Sequence, residues 1–206
     1  MKSGPESHWN SVYRMKTPEQ VSWFQPRLEK SLELIAISGV DKKERILDAG
    51  GGASTLAGDL LTRGYENITV LDISGQALQK AKDRLGKTAD NMTWIEANIT
   101  KVDLLEDSIA LWHDRAVFHF LTAEKDRWAY AKTLNKALKP GGYLILACFS
   151  LEGPSKCSGL EVMRYSPETL SRELGPGFSL VQSDFENHKT PFGTQQNFVY
   201  CLFRKR

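Results

Sequence analysis

The sequence predicts an α/β fold: a doubly wound, mostly parallel seven-stranded sheet with an antiparallel C-terminal hairpin. Three observations predict it. From residue 42 onward short apolar runs alternate with amphipathic stretches, the first run ends in a glycine-rich turn, and the last two runs are separated only by a tight connection. Strands and helices taking turns imply right-handed crossovers, which make the strands parallel and cover both sheet faces with helices.

The elements follow in order. RILDAG has a buried-strand pattern, and STLAGDLLTRG reads as a helix with Leu56, Leu60 and Leu61 on one face and Gly64 beyond its end. NITVLDIS is the second strand, and SGQALQKAKDRLG a helix that starts at a Ser74 cap and stops at Gly86. MTWIEANI and SIALWHDR are the third and fourth strands. TAEKDRWAYAKTLNKALKPGG is a longer helix with a Pro-Gly stop, and YLILACFS is the fifth strand. FSLVQSDFENH and QNFVYCLFRK, joined directly by KTPFGTQ, form the hairpin. Ahead of the sheet stand Trp9, Tyr13, Trp23 and Phe24, then a helix in RLEKSLELIAIS.

A chain of 206 residues is long enough to bury a substantial core as one domain, with residues 1–40 an N-terminal aromatic arm or lid plus helix and 41–206 the sheet. A net charge of +2 lacks the basic surplus that nucleic-acid binding usually needs, so no nucleic-acid partner is expected. No run reaches the roughly 18 apolar residues of a membrane span, and no apolar segment follows the N-terminus as a targeting signal would. Cys148, Cys157 and Cys201 are too widely spaced for a disulfide framework or a metal motif, so no metal is expected and a reducing cytoplasm is the simplest setting.

The turn DAGGGAS ends the first strand and opens the first helix. Glycine lets the chain turn sharply and lets a ligand approach the main chain, while the helix start offers unpaired N–H groups. Asp72, about 20 residues on at the end of the second strand, stands where an acid meets ribose hydroxyls in doubly wound sheets. The turn lacks the third glycine of GxGxxG, reading AST instead, which makes a dinucleotide the poorer ligand.

ILDAGGGAS, LDIS, KPGG before a fifth strand, and a terminal antiparallel hairpin together resemble the class I, seven-stranded S-adenosylmethionine-dependent methyltransferases over residues 30–206. The family's DxGxG motif is met by Asp48, Gly50 and Gly52. The resemblance implies S-adenosylmethionine as cofactor, with Asp48, Gly50, Gly52 and Ser54 around its methionine part and Asp72 and Ile73 at its ribose. Where many members carry an acid for the adenine, EANIT places Asn98, whose oxygen accepts the same hydrogen bond, with Ile99 packing on the ring. A strand-end turn is the alternative role for Asn98.

The stretch WHDRAVFHF falls where this family's fourth strand ends beside the reactive methyl group. His113, Asp114 and Arg115 are therefore the catalytic candidates: His113 as general base and cofactor neighbour, Asp114 to orient it or hold an amine, Arg115 to hold an anionic group. A salt bridge pinning the loop is the other reading of Asp114 and Arg115, and strand alternation sends neighbours to opposite sides. His119 is read as packing near the cofactor and acceptor.

Segments added to the common sheet choose the acceptor. The N-terminal aromatics Trp9, Tyr13 and Trp23 fold over the cofactor in one reading and pack on the sheet in the other, with Phe24 toward the acceptor. Cys157, in the loop after the fifth strand, and Thr190 and Gln195, in the hairpin connection, complete the acceptor candidates. A small-molecule acceptor leads. A protein lysine follows, because Asp114 and Arg115 match the Asp-Lys run of some lysine methyltransferases. A non-catalytic cofactor-binding subunit is a third reading, against which stand the glycine turn and Asp72.

Overall fold

The computed structural model describes residues 4–206, so the first three residues of the expected N-terminal segment lie outside the described residues. The strands are β1 (Ile46–Ala49), β2 (Ile68–Asp72), β3 (Thr93–Glu96), β4 (Ile109–Arg115), β5 (Leu138–Phe149), the short pair β6 (Lys156–Cys157) and β7 (Leu160–Glu161), β8 (Phe178–Lys189) and β9 (Gln195–Lys205). Seven of them form one sheet in the order β3-β2-β1-β4-β5-β9-β8. β1 to β5 pair in parallel, β9 runs antiparallel to β5, and β8 to β9. The order turns back between β1 and β4, and a cleft opens at the carboxyl ends of such a pair.

Period-two alternation splits the core into two layers. Ile46 and Leu111 face Leu32, Ile35, Leu56 and Leu60, which come from α2 (Glu29–Ser38) and α3 (Leu56–Thr62). Their neighbours Leu47 and Trp112 face Tyr130, Leu134, Leu170 and Leu174, from α5 (Glu124–Ala137) and α6 (Pro167–Leu174). α4 (Gly75–Leu85) adds Leu78 to the first layer; the Ser74 hydroxyl accepts from its Ala77 N–H at 3.2 Å, and it ends at Gly86, φ 56°.

Four elements were not expected from the sequence. α1 (Pro5–Met15) is a helix where only an aromatic arm was read, α6 begins at a Ser166 cap with Pro167 in its first turn, and β6 and β7 form a small hairpin inside the loop after β5. One boundary moves as well. The expected helix through KPGG stops at Ala137, and Leu138–Gly142 already belong to β5, because the residue before Pro140 is pushed out of the helical region.

Candidate functional site

The turn after β1 uses left-handed backbone at Gly50, φ 70°, and at Gly52, φ 34°. A β-carbon on Gly50 would lie 2.0 Å from Val117, and one on Gly52 would lie 2.6 Å from an Asp72 oxygen. The absent side chains thus let the loop after β4 close on one side of the turn and the Asp72 carboxylate approach on the other. Asp72, buried at the end of β2, accepts from the Ser74 N–H at 2.8 Å. Burial pushes its carboxyl up to about 7, against that hydrogen bond and with the Asp48 charge adding to the rise.

Asp48 and His113 face each other across β1 and β4, paired in register. His113 Nδ1 lies 2.7 Å from Asp48 Oδ1 and its Nε2 lies 2.9 Å from the Ser31 hydroxyl. The carboxylate can only accept, so Nδ1 donates to Asp48, and Nε2 shares a hydrogen bond with the Ser31 hydroxyl. Both ring nitrogens are occupied, and the ring is 1% exposed. Asp48 Oδ2 is buried without a partner among the described residues.

Asp114 and Arg115 turn to opposite sides. Asp114, fully buried, accepts from the Tyr130 hydroxyl at 2.7 Å and from the N–H groups of Val117 and Phe118 at 2.9 and 3.2 Å. It pins the loop after β4, and burial raises its carboxyl to about 6 against those donors. Arg115 lies over the Phe198 ring at 4.6 Å. Its Nε donates to the Tyr200 hydroxyl at 2.9 Å and its Nη1 to the Trp23 carbonyl at 3.0 Å, while Nη2 is buried and unpaired among the described residues. His119 is buried between Phe120 and Phe149, and burial lowers its imidazole to about 3, with the Arg115 charge contributing.

The N-terminal segment roofs this edge. The Asn10 side-chain oxygen of α1 accepts from Ser74 Oγ at 2.7 Å, which ties α1 to the start of α4. Trp9 packs edge-on against Trp23 and Phe120, and Tyr13 accepts from the Trp23 indole at 3.3 Å. Further along, His188 Nε2 donates to the Ser22 carbonyl at 2.7 Å, Gln196 donates to the Ser22 hydroxyl at 3.2 Å, and Gln25 donates to Glu186 at 3.1 Å. Residues 22–25 are thereby fastened to the β8–β9 hairpin.

One cleft under this roof brings together Tyr13, Trp23, Phe24, Asp48, Gly50, Ser54, His113 and Arg115 from the sequence candidates, with Gln25 and Leu28 in addition. Others stand apart from its lining. Asn98 Oδ1 accepts from both the N–H and the hydroxyl of Thr100, so its oxygen is used inside its own turn, while Ile99 is buried and Ile73 half-buried beside Asp72. Cys157 is buried, its thiol pushed up to about 12 by desolvation. Thr190 bonds Thr194 across the hairpin turn and exposed Gln195 accepts from Asn187. Ser31, Gln25, Tyr130, Glu186 and Tyr200 were missed by sequence reasoning. Each reaches its partner only through the fold, and no local pattern marks it.

The sequence pattern described as "Methyltransferase domain" matches residues 46–142, the stretch that holds the glycine turn, Asp72 and the HDR cluster. The chain carries a methyltransferase domain over these residues, and its fold is that of S-adenosylmethionine-dependent methyltransferases. Curated relatives of this methyltransferase domain include the eEF1A lysine and N-terminal methyltransferase homolog of Drosophila melanogaster, 23% identical over 66% of the chain and 21% of that protein. The tRNA 5-carboxymethoxyuridine methyltransferase of Escherichia coli (strain K12) is 30% identical over 63% of the chain. The chain thus spans about a fifth of the first relative's length and about half of the second's. In fold it is similar to the 1,6-didemethyltoxoflavin-N1-methyltransferase of Burkholderia thailandensis, solved with 1,6-didemethyltoxoflavin and S-adenosylhomocysteine. The TM-score is 0.75 at 16% identity, over 97% of this chain and 86% of that one. No helix among the described residues is long and apolar enough to cross a membrane, and no group of three or more His, Cys, Asp or Glu among them is placed to hold a metal ion.

Proposed function

We propose that this chain transfers the methyl group of S-adenosylmethionine to a small-molecule acceptor held in the cleft between the carboxyl ends of β1 and β4. The residues present fit the cofactor. The unpaired Asp48 Oδ2 is an acceptor for its ammonium, the backbone of Gly50 to Gly52 allows close approach, and the Asp72 carboxylate accepts from ribose hydroxyls. Half-buried Ile73 and buried Ile99, outside the cleft's lining, are the apolar residues beyond Asp72 that the base would meet, and Tyr13 and Trp23 line the cleft from the N-terminal segment. When bound, S-adenosylmethionine supplies a methyl group on positively charged sulfur, open to in-line displacement.

The chain's own part in such a transfer is alignment and exclusion of water. His113 is a positioning residue in this reading: it holds Asp48 by one nitrogen and is itself held by Ser31 through the other. Asp114 sets the loop that closes on Gly50, and His119, neutral near pH 7, lends an apolar face with Phe120 and Phe149. No side-chain base is required for an acceptor that arrives with a free lone pair.

The observation that carries the small-molecule reading is the fastening of residues 22–25 to the β8–β9 hairpin over Arg115. That closure suits an acceptor small enough to be enclosed, whereas a lysine on a folded protein needs an open approach. The protein-lysine reading is favoured instead by the relative named for eEF1A lysine. Incubation with methyl-labelled cofactor and a cell extract, split into protein, nucleic-acid and small-molecule fractions, tests the proposal. Label is expected in the small-molecule fraction; label in protein or RNA overturns it.

A further inference from the structure

Resting on the methyltransferase reading, we infer that the acceptor is a small organic anion, and that its carboxylate or phosphate docks on the free Nη2 edge of Arg115. Arg115 is a cation without a direct counterion: among the described residues it forms no ion pair, and Glu186 is linked to it only through the Tyr200 hydroxyl, which accepts from Arg115 Nε and donates to Glu186 at 2.9 Å. A half-buried guanidinium left uncompensated in a closed site is costly, and the protein offers it a phenol, a carbonyl and an aromatic face instead of a carboxylate.

The same three contacts fix the fork. Nε, Nη1 and the ring plane are all held, so the remaining donor edge is pre-oriented, as recognition of an oxyanion requires. Arg115 also leans to the acceptor side. On β4 it pairs with Ala147 of β5, which pairs in turn with Tyr200 of β9, so the side chain reaches across the small Ala147 and away from β1 and its glycine turn. The cofactor's amino-acid end belongs on the other side, its ammonium at the free Asp48 oxygen beside the glycine turn. Cys157, Trp23 and Phe198 border the guanidinium, and none of them brings negative charge, the Cys157 thiol staying neutral.

Calorimetric titration with sodium benzoate and with neutral benzamide, on the free chain and on the chain loaded with S-adenosylhomocysteine, tests this. Benzoate is expected to bind about tenfold or more tightly than benzamide to the wild type, the ratio characteristic of a charge-assisted hydrogen bond. Arg115→Met is expected to make the two probes equal while S-adenosylhomocysteine affinity stays within about threefold, and Arg115→Lys to keep part of the preference. Equal binding of both probes by the wild type, or binding of neither, overturns the inference even if Arg115→Met does not fold. So does a benzoate preference that survives in Arg115→Met. A preference abolished together with S-adenosylhomocysteine affinity would assign Arg115 to the cofactor and also overturn it. Failure of the wild type to bind S-adenosylhomocysteine removes the methyltransferase reading itself, and the benzoate comparison on the free chain then stands alone.

Discussion

Asp48 meets His113 with one oxygen at 2.7 Å and leaves the other buried beside the glycine turn and, among the described residues, unpaired. A carboxylate so held has one engaged face and one free face, and the free face is the one a cationic ligand would complete. His113→Phe is therefore expected to weaken S-adenosylhomocysteine binding by about 1–3 kcal/mol, because Asp48 loses a buried donor, and to lower the thermal midpoint as well. Turnover should show no pH limb that disappears with the variant. Unchanged cofactor affinity together with a loss of about 10²-fold or more in turnover would return His113 to the role of general base.

Gly52 allows Asp72 its place. Adding one methyl group there puts a β-carbon 2.6 Å from the Asp72 oxygen, where β-carbons are not found, and a tight 3.1 Å from Ala77. Gly52→Ala should displace the carboxylate and cost S-adenosylhomocysteine affinity about tenfold or more, with the circular dichroism of the sheet and helices retained. Calorimetry on the folded variant checks it, and wild-type affinity would detach Asp72 from the ribose.

The roof depends on a short list of contacts, of which Asn10 to Ser74 is the one nearest the cofactor side. Asn10→Ala should raise the dissociation constant for S-adenosylhomocysteine by the loss of about 0.5–1.5 kcal/mol, and it should leave benzoate binding to the free chain unaltered. Trp9 and Trp23, packed edge-on, report the same event by fluorescence. An Asn10→Ala variant that binds the cofactor normally would reduce α1 to simple packing.

Much of the scaffold was legible because it is written locally. The glycine turn, the Ser74 cap and the alternation of β1 and β4 are set by neighbours within a few residues, and so is the reach of Asp72. The working contacts of the site are not local. Ser31 is 82 residues from His113 and Tyr200 is 85 from Arg115, so their meeting is a product of strand order, which no spacing in the chain announces. The adjacency of His113, Asp114 and Arg115 suggested one catalytic cluster, yet β4 sends Asp114 to Tyr130 on one face and its neighbours to Ser31 and Tyr200 on the other. Composition said least. A near-neutral charge favours no acceptor class, and one relative is named for a tRNA.

On the proposed reading, Asp72 should make cofactor binding a function of pH. Its carboxyl is raised by burial to about 7 in the folded, ligand-free chain, above its unfolded value near 4. The folded state therefore holds a proton that the unfolded state releases, and Asp72 contributes a penalty that is absent below about pH 4, grows as pH rises, and is complete above about 7. Asp72→Asn removes it, so the variant should be more stable than the wild type at pH 8 and gain little at pH 4. Ligation should work in the opposite sense, because ribose hydroxyls would donate to the charged carboxylate and pull its pKa down. S-adenosylhomocysteine should bind with release of a proton between about pH 5 and 7, its affinity falling toward tenfold for each unit below 7. Calorimetry at pH 6 in two buffers of different ionisation enthalpy measures that proton, and Asp72→Asn should show none. Equal heats in both buffers for the wild type would mean that Asp72 is already ionised in the free chain or that it stands apart from the ligand.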